Sequence, residues 1–427
     1  MATPNFNSVI RKVRDEDYDA FANLIANAYP GIKLFSEEAR ERYKQRMKEW
    51  ESDPKLATYG LFRDDQLVGG MRFFDFTMKI LSTKGLAGGI GMVAVDLLHK
   101  KEKVAYELLS YFLKHYRERG ATMALLYPFR PDFYHKMGFG LGAKISQYRA
   151  KPSSLPSSGN RQNVYFLTKT DEQALLDCYN RCLERSNGLV EKLQYELNAF
   201  FDNPEMRVVG YRPEGENGPV TGYIAFSFKQ VNPDSFVLNN IICREVMHES
   251  SEALLGLLAF LQSQADQIKE IVFNIQDDYF HHILLDPRNN TDNMIPSVYH
   301  ESNTQGVGIM YRVLDTRGFF RLLSQHNFNG QSCKLKLTVR DSFFPANNGS
   351  LIVHFKEGLA ELEPEDSSAY EVEIALDVAE FSSLVMGAVD FKQLYRYGLV
   401  TLSDPGYVST LHRLFQTEER PVCTTPF

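Results

Sequence analysis

The chain has 427 residues, of which 44% are hydrophobic and 24% are charged, and it carries a formal net charge of −7. The length favours two or three domains, and the composition is that of an ordinary globular protein. The acidic balance argues against a general nucleic-acid-binding protein, because such a protein needs a basic surface to neutralise phosphates.

The first 150 residues predict one α/β domain. Hydrophobic periodicity and turn residues indicate strands at residues 9–13, 58–62, 67–74, 88–95, 123–126 and 144–149, helices at 15–28, 36–51 and 104–118, and a short helical turn at 133–139. Gly120 ends the helix that begins near residue 104. The resulting order, with one strand feeding a helix and the next strand following it, predicts a complete α/β layer.

Residues 151–162 are rich in Ser and Pro and predict a linker. The same element order then returns, with helices at 171–185, 190–201 and 251–268 and strands at 207–211, 221–228, 236–243 and 271–275. This repetition predicts an internal duplication, with the second copy at residues 163–303.

The chain from residue 304 to 427 predicts a third, α+β domain. Period-two strands are expected at residues 307–313, 333–339, 351–355 and 370–376, with helices at 316–324 and 379–386. The last nine residues contain two prolines, a valine and a terminal Phe427, a composition that predicts a docked rather than a solvated end.

The turn at residues 100–105, Lys-Lys-Glu-Lys-Val-Ala, is the main candidate for a binding site, and we call it the basic turn. It joins a buried strand to a helix, so that free backbone N–H groups and the positive helix end meet three lysines there. The corresponding turn of the second copy, at 248–253, holds two glutamates and one histidine, which would repel an anion. The functional interpretation is a phosphate site in the first copy alone, and the alternative is an ordinary solvated helix start.

Two segments carry a family resemblance. Gly-Met-Val-Ala-Val at 91–95 with the basic turn, and Phe-Tyr-His-Lys-Met-Gly-Phe at 133–139, resemble the two signatures of GNAT-type N-acetyltransferases. In that family a bulge in the strand binds the pantetheine arm of acetyl-CoA, and the next turn cradles the pyrophosphate. The family turn is Arg/Gln-x-x-Gly-x-Gly/Ala, which here is Lys100-x-x-Lys103-x-Ala105, so Lys103 stands in place of glycine.

The whole chain resembles the Eis (enhanced intracellular survival) acetyltransferases. The resemblance implies the fold class α/β (α+β), with a GNAT domain at 1–150, a second GNAT-like domain without a cofactor turn, and a sterol-carrier-protein-like domain at the end. It also implies contacts with acetyl-CoA from a set of residues around the strand, the basic turn and the next strand end: Val93, Ala94, Val95, Lys100, Lys101, Glu102, Lys103, Val104, Ala105, Tyr106, Phe129 and Arg130.

Two catalytic roles follow from the resemblance. The C-terminus would fold back into the first domain, where the main-chain carboxylate of Phe427 acts as general base and Tyr134 protonates the departing thiolate. A tyrosine suits a thiol leaving group, whereas a carboxylate is a weak base for an ammonium unless it is desolvated or acts through water. The alternatives are a core aromatic for Tyr134 and a merely docked end for Phe427. Arg130, for its part, has Asp132 as an alternative partner.

The histidines and cysteines predict no metal site. His99 and His135 lie near the candidate site without an evident partner in the sequence and are interpreted as surface residues, and the adjacent His281 and His282 as part of a polar loop. Five scattered cysteines indicate neither a disulfide framework nor metal-ligand spacing.

The predicted function is acetyl-CoA-dependent transfer of an acetyl group to a primary amine of a cationic, aminoglycoside-like or polyamine-like small molecule. The alternative is a non-catalytic carrier of an apolar ligand with a degenerate CoA site. No nucleic-acid partner is expected, because the net charge is acidic. No membrane association is expected either, because the sequence has no apolar signal segment and no membrane-spanning run, and we therefore expect a cytoplasmic location. A homo-hexamer is expected by resemblance alone.

Overall fold

The computed structural model describes residues 8–234, 236–290, 294–296 and 299–427. The chain divides into two compact units. Unit 1 comprises the chain up to Gly142, Ile309–Pro421 and Pro426–Phe427, and unit 2 comprises Ala143–Gly308 and Val422–Thr425. The division into three domains at residues 150, 162 and 303 stays a prediction. None of the helices in the described ranges is long and apolar enough to cross a membrane.

The first part of unit 1 forms the predicted α/β layer. Its elements are β1 Ser8–Lys12, α1 Tyr18–Ala28, α2 Glu37–Glu51, β2 Leu56–Arg63, β3 Gln66–Ile80, β4 Thr83–Val95, α3 Val104–Glu118, β5 Met123–Leu126, α4 Pro131–His135 and β6 Gly140–Leu141. Strands β1 to β4 pair antiparallel in chain order, and β4 pairs with β5 in parallel. The α3 connection between β4 and β5 therefore crosses over the sheet, as a parallel pair requires.

Helix α3 provides much of the core of this layer. Its residues Val104, Leu108, Leu109, Phe112 and Leu113 are buried at helical spacing, as predicted. The helix ends where Gly120 adopts a φ of +82°, a conformation that costs glycine little. Periodicity and the stop signal were therefore sufficient to locate the helix that follows the basic turn.

The second part of unit 1 is the α+β region near the end of the chain. Its elements are β16 Met310–Val313, α8 Thr316–Leu322, β17 Cys333–Arg340, β18 Gly349–Lys356, β19 Leu359–Leu362, β20 Val372–Asp377, α9 Val378–Val385, α10 Phe391–Arg396, β21 Val400–Leu402 and α11 Val408–Phe415. In the described residues a sheet runs in the order β19-β18-β17-β20-β21, and only its central β17–β20 pair is parallel.

Unit 2 repeats the strand pattern of the first layer. Its elements are β7 Ile145–Ala150, β8 Val164–Phe166, α5 Glu172–Arg185, α6 Gln194–Phe201, β9 Met206–Tyr211, β10 Gly222–Gln230, β11 Asn239–His248, α7 Ser251–Gln262, β12 Ile268–Ile275, β13 Met294–Ile295, β14 Tyr299–His300 and β15 Thr304–Gly306. Strand β11 pairs antiparallel with β10 and parallel with β12, as β4 does with β3 and β5. The predicted duplication is visible in this shared arrangement.

Two strands lie in a different sheet from the one expected. The strand predicted at residues 144–149 to close the first sheet forms as β7, but it pairs with β12 of the second sheet. The strand predicted within 307–313 as part of the last domain forms as β16 and lies between β5 and β6 of the first sheet. In addition, the helix predicted at 251–268 ends at Gln262, which leaves the next residues as the connection to β12.

Candidate active site

A bulge interrupts the pairing of β3 with β4 at the site of the predicted pantetheine contacts. Gly70 pairs with Ala94 and Arg72 pairs with Gly91, so that Met92 and Val93 together stand opposite one residue. Met92 has a φ of +51°, which is uncommon for a residue with a side chain. A bulge of this kind removes backbone groups from the ladder and turns them towards a ligand.

Tyr29, at the end of α1, braces this bulge. Its hydroxyl donates a hydrogen bond to the main-chain carbonyl of Val93 over 2.6 Å. Burial raises the pKa of Tyr29 to about 12, so that the hydroxyl stays a donor at neutral pH. Tyr29 was not among the predicted site residues, because nothing local in the sequence links the end of α1 to β4.

The basic turn contains two residues in the left-handed conformation. Lys101 has a φ of +69° and Lys103, directly before α3, a φ of +64°. A side chain at such a φ is strained, and turns that include left-handed residues can gather successive N–H groups into a concavity that binds anions. The side chains of Lys100, Lys101 and Lys103 are exposed around this turn. Lys103 therefore takes the conformation for which glycine is the usual residue.

Arg63, the last residue of β2, contacts the basic turn. Its side chain is 4% exposed, and it donates to the Glu102 carboxylate over 2.8 Å, to the Glu102 main-chain carbonyl over 3.0 Å and to the Glu107 carboxylate over 2.8 Å. His99 also lies 3.0 Å from the Glu102 carboxylate through Nδ1, so its interpretation as a surface residue without a partner is wrong. Arg63 was not among the predicted site residues, because it precedes a hairpin turn far from residues 100–105.

The second copy has a different helix start at the equivalent position. The side chain of Ser250 caps α7 by accepting a hydrogen bond from the N–H of Ala253 over 3.2 Å. Helix α3 has no such side-chain cap at Lys103. A side-chain cap consumes a donor that an anion would otherwise bind, and the anion site in the first copy alone stays a prediction.

Tyr134 lies on α4 among aromatic rings. It is 3% exposed, and its ring centroid is 5.8 Å from that of Phe129, 5.2 Å from that of Phe133 and 6.1 Å from that of Phe139. Burial raises the pKa of Tyr134 well above its ordinary value, and the nearby Tyr29 adds to the effect. The phenol is therefore neutral at physiological pH and can donate a proton or a hydrogen bond.

Phe427, the C-terminal residue, lies against the first sheet. Its ring centroid is 5.3 Å from that of Phe74, 5.0 Å from that of Phe76 and 5.3 Å from that of Tyr127. A Cβ atom built on Gly91 would be 3.1 Å from the carboxyl carbon of Phe427. The terminal carboxyl group thus lies directly beside β4, one residue before the bulge, and an aromatic cluster surrounds the ring.

Three further residues on or next to α4 are Phe129, Arg130 and His135. Phe129 is 64% exposed. Arg130 forms the ion pair with Asp132 that the sequence offered as an alternative, over 2.6 Å. His135, interpreted as a surface residue without a partner, is a hydrogen-bonding partner of Glu380 over 3.0 Å, and this bond raises the pKa of the imidazole. In the described ranges, no three potential ligand side chains lie together as a metal ion would require.

Three family models match the chain. An acetyltransferase (GNAT) domain model matches residues 9–142, a second acetyltransferase (GNAT) domain model matches residues 182–313, and a sterol carrier protein domain model matches residues 312–424. The chain therefore contains two acetyltransferase (GNAT) domains and a sterol carrier protein domain. Its predicted composition, two GNAT domains followed by a sterol-carrier-protein-like domain, is confirmed.

Known relatives of this GNAT protein are distant in sequence. An uncharacterized N-acetyltransferase of Streptomyces avermitilis is 24% identical over 53% of this chain and 55% of its own length. A second, from Streptomyces coelicolor, is 25% identical over 51% of this chain and 54% of its own length. The chain therefore spans about half the length of the curated relatives that it matches.

Solved structures share the fold along the whole chain. A GCN5-related N-acetyltransferase from Kribbella flavida is 19% identical with a TM-score of 0.78, and the match covers 100% of both chains. Eis1 from Mycobacterium abscessus is 18% identical with a TM-score of 0.74, and the match covers 98% of this chain and 100% of the other. The resemblance to Eis-type acetyltransferases holds at the level of the fold.

Proposed function

We propose that this GNAT protein transfers the acetyl group of acetyl-CoA to a primary amine of a cationic small molecule of the aminoglycoside or polyamine type. The observation that carries the proposal is the position of the Phe427 carboxyl group beside Gly91, on the strand whose bulge would receive the pantetheine arm. A carboxylate there would lie next to the acetyl group, where a cationic amine would arrive. The acidic net charge of the chain also favours a cationic acceptor.

Acetyl-CoA would be held by backbone groups at two places. Amides of Val93, Ala94 and Val95 would bind the pantetheine arm and polarise the thioester carbonyl. Amides from Lys101 to Tyr106 would bind the pyrophosphate, with Lys100, Lys101 and Lys103 as counter-charges and Glu102 within the same turn. The exposed lysines and the two left-handed residues fit such a dense anion. Phe129 and Arg130 would contact the cofactor from the end of β5.

Phe427 would bind the ammonium form of the acceptor and take up its proton. An ordinary terminal carboxyl has a pKa of about 3.5 and is a weak base for an ammonium. The surrounding rings of Phe74, Phe76 and Tyr127 exclude water on one side, which makes a carboxylate more basic and favours a cation next to it. The Phe427 carboxylate would thus both orient the amine and remove its proton.

Tyr134 would serve the leaving thiolate. Its raised pKa keeps the phenol protonated, so that it can donate a hydrogen bond while negative charge develops on sulfur. An ordinary thiol has a pKa of about 8.5, but a thiolate in a site closed to water is itself harder to form. Burial would thus raise the pKa of the phenol and of the thiol alike, and the phenol remains a hydrogen-bond donor to the developing thiolate.

The experiment is thiol release from acetyl-CoA by untagged protein across a panel of diamines, polyamines and aminoglycosides. Amine-dependent release that is lost in Tyr134→Phe, and also lost when residues are appended after Phe427, is the expected result. Appended residues should leave CoA binding intact, because they replace only the terminal carboxylate. Full activity with a C-terminal tag would contradict the role of Phe427.

The alternative is a carrier that binds an apolar ligand in the sterol-carrier-protein-like domain at residues 312–424 and has a degenerate CoA site. Its second premise was Lys103 in place of glycine, yet Lys103 adopts the left-handed φ that glycine would. A carrier would also not be retained on a CoA affinity resin, which separates the two proposals. A hexamer and a cytoplasmic location remain parts of the proposal that come from family resemblance, and light scattering of the purified protein tests the first.

A further inference from the structure

We propose that Arg63 is a positioning residue for the basic turn: it sets the direction of the turn's backbone donors and holds the Glu102 carboxylate away from the phosphates of acetyl-CoA. The inference rests on the proposed acetyl-CoA site. Arg63 itself touches neither the ligand nor the reacting atoms, and it acts through Glu102. No feature of the family signature in the sequence includes this arginine.

The guanidinium of Arg63 is fully engaged. One terminal nitrogen, Nη1, donates to the Glu102 carboxylate, and the other, Nη2, donates to both the Glu102 carbonyl and the Glu107 carboxylate. Nε faces the Ser8 hydroxyl at 3.3 Å. A planar guanidinium presents its donors in a rigid fork, so contacts in several directions define the orientation of the group. Arg63 therefore joins the end of β2 to both the basic turn and the first turn of α3.

The bond to the Glu102 carbonyl has a geometric consequence. In a trans peptide the C=O and the following N–H point in opposite directions, and the described chain contains no cis peptide bond. Because the Glu102 carbonyl points towards Arg63, the N–H of Lys103 on the same peptide plane points away from it. The N–H of Lys103 therefore points away from Arg63, in the direction from which a pyrophosphate would bind.

The bonds to the carboxylates have an electrostatic consequence. An unpaired Glu102 carboxylate within the basic turn would repel a pyrophosphate. Arg63 and His99 both contact this carboxylate, so that the 36% exposed Glu102 side chain is paired while the three lysines stay exposed. The net charge of the turn surface that would meet the ligand therefore depends on where the Glu102 carboxylate is held, and not only on how many lysines and glutamates the turn contains.

A purely structural role is the competing explanation, since Arg63 also connects β2 to α3. The two roles differ in which part of acetyl-CoA they affect. A structural role would affect acetyl-CoA and S-acetylpantetheine alike, because both need the folded bulge. A positioning role for the basic turn would affect only the ligand that carries the pyrophosphate.

The experiment compares Arg63→Lys, Arg63→Met and a matched control, Arg11→Lys, with wild-type protein. Arg11 is also a sheet arginine in a carboxylate pair, with Asp17 over 2.6 Å, but it does not contact the basic turn. The measurements are dissociation constants for CoA and for pantetheine by calorimetry, and kcat/KM for acetyl-CoA and S-acetylpantetheine. Thermal melts establish that each variant is folded.

We expect Arg63→Lys to weaken CoA binding roughly tenfold, because one lost charge-assisted hydrogen bond changes an equilibrium constant by about that factor. Pantetheine binding should change less than about twofold in the same variant, and Arg11→Lys should leave both constants unchanged. Arg63→Met should show the larger loss for CoA. Equal losses for CoA and pantetheine, or no loss for either, would overturn the proposal.

The binding constants also separate this inference from the proposed function. If wild-type protein binds CoA more tightly than pantetheine but acetylates no amine, the proposed transferase activity is contradicted. The CoA affinity of the Arg63 variants still tests the role of Arg63 in that case. Wild-type protein that shows no preference for CoA over pantetheine would overturn the pyrophosphate site and the role of Arg63 together.

Discussion

The carboxyl carbon of Phe427 lies 3.1 Å from the place that a Cβ atom on Gly91 would occupy. Residue 91 therefore has to be small for the C-terminus to lie where it does. The relationship joins the last residue of the chain to the strand that carries the bulge, and it provides a test of the Phe427 carboxylate that leaves the carboxylate in place.

Gly91→Ala should displace the terminal carboxylate by a few tenths of an ångström. Because small misplacements of a catalytic group reduce rates by up to about 10²-fold, we expect kcat to fall about tenfold while CoA affinity stays the same. Gly306→Ala is the control, since nothing lies within 4 Å of a Cβ at that position. Steady-state kinetics and CoA titration provide both readouts, and unchanged kcat in Gly91→Ala would argue against a working role of the carboxylate.

Tyr134 predicts a pH dependence. Burial raises the pKa of Tyr134 above its ordinary value near 10, so the protonated form persists as pH rises through that value. We expect kcat/KM to show no alkaline decline from Tyr134 below about pH 10. Tyr134→Phe should lower kcat by about 10²-fold, the usual contribution of a general acid. A decline centred near pH 8 to 9 that disappears in Tyr134→Phe would contradict the raised pKa.

At Lys103, we expect CoA affinity to depend more on the backbone conformation of the basic turn than on the charge of the side chain. Glycine adopts a φ of +64° without strain, whereas a β-branched residue does so at the highest cost. Lys103→Gly should therefore keep CoA affinity within about threefold and leave the free energy of unfolding equal or higher by up to about 1 kcal/mol. Lys103→Ile should weaken CoA binding more strongly. The reverse order of affinities, measured by calorimetry, would show that the lysine charge dominates.

Arg312 and Asp341 predict a large effect on stability. Their side chains are both 0% exposed and are joined over 2.8 Å, and desolvation lowers the pKa of Arg312. Arg312→Met would leave the Asp341 carboxylate buried without its cation, at a cost of about 3–5 kcal/mol in the free energy of unfolding. Arg340→Met removes a 2.7 Å pair that is exposed and should change this free energy by less than about 1 kcal/mol. Urea unfolding of both variants gives the comparison, and equal effects would contradict it.

Sequence patterns were sufficient for the features that depend on neighbouring residues. The stripe from Val104 to Leu113 predicted α3, and the strands predicted at 58–62 and 67–74 form within β2 and β3. The same local signals showed the basic turn and the repeated element order of unit 2. Each of these rests on hydrophobic periodicity or turn chemistry, which act over a few residues.

The tertiary structure decided which distant segments meet. A period-two pattern indicates a strand but not its partner, so β7 and β16 were assigned to the wrong sheets. For the same reason, the sequence could not show that Arg63 reaches Glu102 or that Tyr29 reaches Val93. Family resemblance, and not the residues themselves, pointed to Phe427, and only packing against Phe74, Phe76 and Gly91 places its carboxyl group beside the bulge. Local periodicity thus determined the elements, and long-range packing determined the site.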